Sequence, residues 1–253
     1  MNLIGFYTLL YKELLRFYKV LLQTVFAPII TTLLYLLVFS HALAEHVVVY
    51  ETLSYTTFLV PGLVMMTIIQ NAFANSSSSL IQSKVTGNIV FMLLPPLSHI
   101  EFFLAFLFAA IIRGLLVGLG VYLVASYIVP VPIHNFLFLL MFALFGSAIM
   151  ASMGIIAGIW AEKFDQLAGF QNFVIMPLTF LSGVFYSIHS LPEFWQTLSR
   201  FNPFFYMIDG FRYGFFGVSD VDPLNSLLIV LASLVLLSGL TVYLIKKGYK
   251  LRD

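Results

Sequence analysis

The chain has 253 residues, of which 61% are hydrophobic and only 9% are charged, which leaves too little polar surface for a soluble globular protein. Its 12 Lys and Arg residues against 11 Asp and Glu residues give a formal net charge of +1, so the charge balance favours neither nucleic acid nor an acidic partner. The lack of cysteine in the sequence excludes disulfides, cysteine-ligated metals and thiol nucleophiles. The composition is that of a membrane protein.

An amphipathic helix is predicted at the start of the chain, over residues 3–19. Its apolar side chains recur on one helical face, and Lys12, Arg16 and Lys19 form a stripe on the opposite side. This pattern is typical of a helix that lies at the membrane interface. We assign residues 1–19 to this helix and residues 20–253 to a single transmembrane domain.

Six apolar runs follow, each long enough for the ~20 residues with which a helix crosses a bilayer. The predicted spans are residues 20–44, 53–75, 102–129, 136–160, 167–187 and 224–245. A polar stretch of serines at residues 76–79 follows the second span and leads into an inside connection that contains a short helix. With an inside N-terminus, nine of the 12 Lys and Arg residues fall on the inside, so the positive-inside rule places both termini in the cytoplasm. The predicted fold is an all-α polytopic membrane protein with six transmembrane helices.

The connection between spans five and six, residues 191–217, is too rich in aromatic residues for a simple outer loop. Its second half is too short to span and carries Asp209 and Arg212, which are three residues apart and are predicted to pair with each other on one helix. We therefore predict two short re-entrant helices that dip into the outer leaflet. The candidate residues of this outer segment are Pro192, Trp195, Asn202, Pro203, Asp209 and Arg212.

Motifs of catalysis are missing from the sequence. It contains no G-x-x-x-x-G-K-[ST], so the chain by itself cannot hold ATP phosphates in a P-loop. It also contains no H-E-x-x-H, no G-x-S-x-G and no carboxylate cluster on one membrane helix, so neither an intramembrane enzyme nor a metal site is predicted.

Arg113 is the one charge well inside a predicted span, where an unpaired cation is costly. The antiparallel neighbouring span can bring Gln70, Asn71 and Asn75 to its depth. Two interpretations stay open: structural pairing with these amides, or a direct role in a translocation path. Small residues form close-packing faces on spans three and four, and packing within the chain is favoured over a dimer seam. The residues of these faces are Gly114, Gly118, Ser147, Ala151, Gly154 and Gly158.

Taken together, these features resemble ABC-2 type transporter permeases, and within them the bacterial inner-membrane YadH-like group. The similarity is carried by TGN at residues 86–88 ahead of LPPL at residues 94–97, and by the run PLTFLSGVFYSIHSLPEFWQTLSRFNPFFYMIDGFRYGFFG over residues 177–217. It extends over nearly the whole chain. In contrast to many relatives, this chain has no acidic residue between Ser83 and His99.

The resemblance implies an exporter subunit in the inner (plasma) membrane that pairs with a second copy of itself and with two copies of a separate ATPase. ATP and Mg²⁺ would be bound by that ATPase and no cofactor by this chain, and no nucleic acid would be involved. Residues 84–94 would be the coupling helix, residues 3–19 the connecting helix and residues 191–217 the re-entrant pair. The implied coupling residues are Lys84, Thr86, Gly87, Asn88, Phe91 and Leu93.

The resemblance leaves the cargo open among drugs, lipids, glycolipids and polysaccharides. The aromatic content of 17% suits an amphipathic or lipid-like substrate, although aromatic residues also mark ordinary membrane interfaces. The alternative function is an energy-independent membrane channel or scaffold subunit, which would leave residues 84–94 without a role.

Overall fold

The computed structural model describes residues 2–43, 48–49 and 53–251. In this part the α-helices are α1 Leu3–Lys19, α2 Leu21–Leu43, α3 Tyr55–Val85, α4 Ile89–Leu93, α5 His99–Ile128, α6 Phe136–Trp160, α7 Phe164–Phe170, α8 Met176–Phe180, α9 Glu193–Arg200, α10 Pro203–Phe216 and α11 Pro223–Lys247. Two short strands between α2 and α3, β1 Val48–Val49 and β2 Leu53–Ser54, pair antiparallel. The predicted end of the first span at Ala44 and the basic residue Arg252 lie outside the described residues.

Side-chain caps explain where several helices begin and end. Asn2 Oδ1 accepts a hydrogen bond from a backbone N–H in the first turn of α1, and Ser98 and Glu101 form a reciprocal capping box at the start of α5. Asp222 caps α11, whose last turn closes on Gly248 at φ 68°. These polar ends satisfy backbone groups that the apolar runs between them leave unpaired.

α3 is the central element of the fold. It is buried along most of its length and packs against α2, α5, α6 and α10, whereas α2 and α11 remain mostly exposed. α2, α3, α5, α6 and α11 are each long and apolar enough to cross a membrane. The prediction of an all-α, multi-pass membrane protein is therefore confirmed.

Small residues allow α5 and α6 to lie directly on α3. A Cβ atom added at Gly154 of α6 would lie 2.5 Å from the carbonyl oxygen of Phe73, and one at Gly114 of α5 would lie 2.9 Å from that of Ile68. A side chain at either position would push the backbones apart. The small-residue faces of both helices therefore pack within the chain, as the sequence favoured.

The second predicted span is too short, because α3 continues for ten residues beyond residue 75. The serines of this extension turn their hydroxyl groups back onto the helix: Ser77 donates to the carbonyl of Phe73, and Ser83 donates to that of Ser79, each at 2.8 Å. Such bonds satisfy a polar side chain without ending the helix. The predicted polar stretch at residues 76–79 is thus buried helix rather than a connection.

The fifth predicted span, residues 167–187, is a shorter and interrupted helix. α7, a π-helical turn Gln171–Ile175 and α8 form one continuous run of 17 residues, about 25 Å long. Pro177 lacks the N–H that an α-helix would use, and its ring crowds the preceding turn, which accounts for the widened turn before it. The chain leaves the helix by Gly183 at φ 75°. The count of six spans stays a prediction.

Candidate functional site

The predicted coupling segment, residues 84–94, is not one helix. Lys84 belongs to the last turn of α3, and Thr86 caps that helix. Gly87 then turns the chain at φ 73°, a backbone conformation that glycine adopts without strain. There is open space around its Cα, so backbone conformation rather than crowding favours glycine here. Asn88 precedes the five-residue helix α4. The predicted short helix therefore covers only half of the segment.

The two sides of α4 differ in burial. Phe91 is 72% exposed, whereas Met92 is 7% exposed and its sulfur lies 3.4 Å from Lys12 Nζ of α1. Leu93 is half-buried. α4 is thus held to the rest of the chain by Met92 and presents Phe91 outward.

Lys84 is placed differently from the other predicted coupling residues. Its Nζ donates to the carbonyl oxygens of Ile159 at 2.8 Å and Ala161 at 2.6 Å, so it ties α3 to the carboxyl end of α6. Close by, Glu162 accepts from Lys250 Nζ at 2.6 Å, and this hydrogen bond holds the pKa of Glu162 below its usual value. Lys84 therefore has a structural role that its position in the sequence does not reveal.

A groove lies between α1, the end of α3 and α4. It encloses about 860 Å³, and Phe91 forms part of its edge. Lys12, Arg16 and Lys19 line it, and no acidic side chain is among its lining residues. The exposed Phe91 side chain of α4 thus lies beside a basic groove.

The sequence analysis missed Glu13, which is fully buried between α1 and α3. Its carboxylate accepts from Ser79 Oγ at 2.7 Å, Lys12 Nζ at 2.8 Å and Arg16 Nε at 3.4 Å. Paired in this way, a carboxylate is tolerated away from water. The available signal was its spacing, because Glu13 lies four residues before Phe17, which is on the apolar face of the predicted helix.

The prediction that Arg16 belongs to an outward basic stripe is wrong. Its guanidinium points at α3, where it donates to the backbone oxygen of Asn75 at 2.6 Å, to the side-chain oxygen of Asn75 at 3.1 Å and to Ser78 Oγ at 3.1 Å. Glu13 and Arg16 together form a polar latch that joins the interfacial helix to the central helix. The physical reason is that the serine-rich end of α3 supplies hydrogen-bond acceptors for the guanidinium, which lipid cannot supply.

Arg113 is hydrogen-bonded to one of its three predicted amide partners. Its Nη2 donates to Asn71 Oδ1 at 3.4 Å, and its guanidinium carbon lies 5.8 Å from the ring centroid of Phe17. Asn75 is instead engaged by Arg16. Within the described residues, Arg113 Nε is buried without a hydrogen-bond partner. A buried donor without an acceptor lowers the stability of the fold in an apolar environment. Arg113 can therefore bind one further acceptor at Nε.

A small polar notch lies at the edge between α2 and α3, next to the Arg113 contact. It encloses about 220 Å³. Hydroxyl and amide groups reach it from both helices, and Asn71 links it to Arg113. The polar residues that line it are Thr31, Thr32, Tyr35, Thr67, Gln70 and Asn71.

The outer segment contains two helices, α9 and α10, as predicted; their depth in the membrane stays a prediction. Pro192 directly precedes α9, on which Trp195 is 43% exposed. Asn202 caps α10 by accepting from Phe204 N at 3.0 Å, and it donates to the carbonyl oxygen of Leu178 at 2.6 Å. Pro203 occupies the first turn of α10, where its missing N–H costs nothing.

The predicted pairing of Asp209 with Arg212 is wrong. Both are fully buried, but Asp209 accepts from the backbone N–H groups of Asp220 at 2.8 Å and Val221 at 3.1 Å. Arg212 donates to the carbonyl oxygen of Gly183 at 2.7 Å. Each charge is hydrogen-bonded to backbone groups of a connection that would otherwise lack a partner. α10 thereby fastens the loops on either side of it.

Comparison with known families matches residues 5–216 to the ABC-2 type transporter family. The chain is 36% identical over 242 residues to the inner membrane transport permease YadH of Escherichia coli (strain K12), covering 96% of this chain and 94% of that protein. Shorter similarities are found to nodulation protein J of Rhizobium leguminosarum bv. trifolii, 33% identical over 44% of this chain and 42% of that protein, and to the capsule polysaccharide export inner-membrane protein CtrC of Neisseria meningitidis serogroup B, 38% identical over 30% of this chain and 28% of that protein.

These matches agree with the architecture. Several helices are long and apolar enough to cross a membrane, and the relative matched over nearly its full length is an inner-membrane permease. The family match extends from α1 to the end of α10, so it includes the basic groove, the polar notch and the outer segment. The chain is a multi-pass inner-membrane transport protein and belongs to the ABC-2 type transporter family.

Proposed function

We propose that this chain is the permease subunit of an ABC exporter and that a separate ATPase, which binds ATP and Mg²⁺, drives it through the coupling segment. The observation that carries the proposal is Phe91, an exposed aromatic side chain on α4 beside the basic groove. A chain without a P-loop gains energy from ATP only through contact with another protein. An exposed aromatic side chain on a short helix that is packed against the rest of the chain can provide such a contact.

The contacts behind α4 suggest how movement passes from the ATPase to the membrane helices. Met92 packs against Lys12 of α1, and α1 is joined to α3 by Glu13 and Arg16. A partner that binds differently in its ATP-bound and free states therefore biases α1 and α3 together. Lys84 acts in the same unit by tying α3 to α6.

The cargo that we propose is an amphipathic, lipid-like, glycan or drug substrate that leaves the cytoplasm or inner leaflet. The relative CtrC is named for the export of capsule polysaccharide, and the notch between α2 and α3 offers hydroxyl and amide groups at the level of Arg113. Such groups suit a hydroxyl-bearing or phosphate-bearing head, and Asn71 connects the notch to the Arg113 guanidinium.

We propose that the working unit contains two copies of the chain and two ATPases, with the N- and C-termini in the cytoplasm. α2 supports this arrangement because it is mostly exposed and carries Gln23 on its exposed surface, and a polar side chain facing lipid is unfavourable unless protein or a water-filled path covers it. A native mass measurement of the purified complex should give two permease chains. A single permease chain on an ATPase pair would contradict the proposal.

The coupling role is tested by Phe91→Asp with Phe164→Asp as its matched control. Phe164 begins α7 and is 52% exposed, so both substitutions put the same charge on an exposed phenylalanine. We expect Phe91→Asp to abolish ATPase copurification or to uncouple hydrolysis from transport, while the permease still inserts. Phe164→Asp should leave both intact. A fully coupled complex with Phe91→Asp would contradict the coupling role of Phe91, and failure of any ATPase to copurify with the unchanged chain would favour an energy-independent channel or scaffold.

A further inference from the structure

A second cavity adjoins the groove at α4, and the two share Met92, Pro95 and Leu97 in their linings. This second cavity encloses about 170 Å³ between α4, the start of α5 and the end of α11. Met92 and Leu93 form its α4 wall, and Phe102 and Ile245 supply apolar walls from α5 and α11. The cavity therefore has contact with both the coupling segment and a peripheral membrane helix.

The charged and polar groups of this cavity favour an anion. Lys246 and His99 both line it, and no acidic side chain is among its lining residues. Lys246 is exposed and makes no ion pair with any described residue. The carboxylate of Glu101 is nearby in the chain, but it is held by the backbone N–H groups of Ser98 and Asn2 and is not part of the lining. Lys246 is therefore the charged group of the cavity wall, and His99 adds a ring nitrogen that can donate a hydrogen bond.

The cavity lies at the depth expected for lipid headgroups. α11 is mostly exposed and apolar until its last turn, where Lys246 and Lys247 follow one another. Tyr243 and Tyr249 flank this turn and are 58% and 43% exposed, and exposed tyrosines of this kind mark the membrane interface. Lipid therefore surrounds the helix beside the cavity, with its headgroups at the depth of the lysines.

We infer that this cavity binds the headgroup of an anionic phospholipid, with Lys246 and His99 contacting the phosphate and the first acyl carbons lying along Phe102 and Ile245. Basic pockets between transmembrane helices recognise such headgroups by charge and fit. Because Met92 and Leu93 form one wall, the bound lipid supports α4 from behind. An effect of the lipid on coupling rests on the function proposed above. Binding of the lipid does not depend on that function.

The binding is measured on the permease alone, in phosphatidylcholine nanodiscs that contain a minor fraction of phosphatidylglycerol, by native mass spectrometry of the retained lipids. We expect phosphatidylglycerol to be retained in preference to phosphatidylcholine. Lys246→Gln should weaken this retention about fivefold, equivalent to about 1 kcal/mol for one basic group near the surface. His99→Gln should weaken it less, because the imidazole contributes a hydrogen bond rather than a full charge. Lys246→Arg should keep it, and Lys163→Gln, which removes an exposed lysine outside the cavity, should leave it unchanged.

Equal retention of the two lipids, or equal losses in Lys246→Gln and Lys163→Gln, would overturn the inference. Displacement of the lipid by soluble glycerol phosphate would assign the cavity to a free phosphate compound and would also overturn it. Thermal unfolding of each variant in the same nanodiscs separates misfolding from lost binding. Failure of the ATPase to copurify would contradict the proposed function and leave the lipid result standing, so the two failures are distinguishable.

Discussion

Removal of the buried carboxylate of Glu13 should release α1 from α3. Glu13→Ala takes away three hydrogen bonds and leaves the Ser79 hydroxyl without this acceptor and Arg16 without its ion pair. Breaking a buried ion pair by removing one partner costs about 3 kcal/mol or more. Glu13→Gln keeps an acceptor for Ser79 and loses only the charge, for which we expect about 1.5 kcal/mol. Lys12→Ala breaks a contact of a half-exposed lysine and should cost at most about 1 kcal/mol.

These energies are measurable as a labelling rate because the chain has no cysteine. A single cysteine at Leu9, which is 6% exposed on the face of α1 towards the protein, should react with N-ethylmaleimide in detergent only when α1 opens. Relative to the otherwise unchanged Leu9→Cys protein, labelling should be about 100-fold faster with Glu13→Ala and about tenfold faster with Glu13→Gln. Lys12→Ala should raise it about fivefold at most.

The order of the three variants is the critical result. If Glu13→Ala is labelled no faster than Lys12→Ala, the latch does not hold α1, and the path from α4 to α3 proposed above loses its main link. Retained labelling protection together with lost ATPase binding would show that Glu13 affects the partner contact without holding α1 to α3.

Two further predictions concern the membrane interior and the outer segment. Arg113→Ala should lower transport or stimulated ATP hydrolysis more than Arg113→Lys, because lysine keeps the charge that meets Asn71; an alanine variant that assembles and transports like the parent would reduce Arg113 to a tolerated residue. Single cysteines at Ser190 and Val218, which are both exposed, should be labelled from outside the cell, whereas one at Phe205, which is 1% exposed, should be protected. Labelling of either exposed site from the cytoplasm would require another span between them.

The parts of the fold that follow from local pattern were predictable. The long apolar runs gave the spanning helices, and the bounds of α6 agree with the predicted residues 136–160 because polar groups flank both ends of that run. Prolines and aromatic residues between spans five and six indicated a structured segment, and α9 and α10 are there. Small residues three and four apart indicated close helix packing, which α3 supplies.

The errors arose where a polar residue has a distant partner. Serines that interrupt an apolar run predict a loop, yet those of α3 are buried helix because Glu13 and Arg16 come from α1 to meet them. Asp209 and Arg212 have the spacing of a local pair, yet each binds the backbone of a different connection. Spacing along one helix reports neighbours on that helix only. Such contacts are set by the tertiary fold.

The most direct test of the coupling segment is a crosslink from its exposed anchor. With Phe91→Cys as the only cysteine in the chain, a short bifunctional reagent applied to the purified complex should join the permease to the ATPase, and ATP should change the yield. The same reagent on Phe164→Cys should give less of this product. The account predicts a product with the mass of one permease plus one ATPase; an ATPase that copurifies but is crosslinked no better from residue 91 than from residue 164 would contradict it.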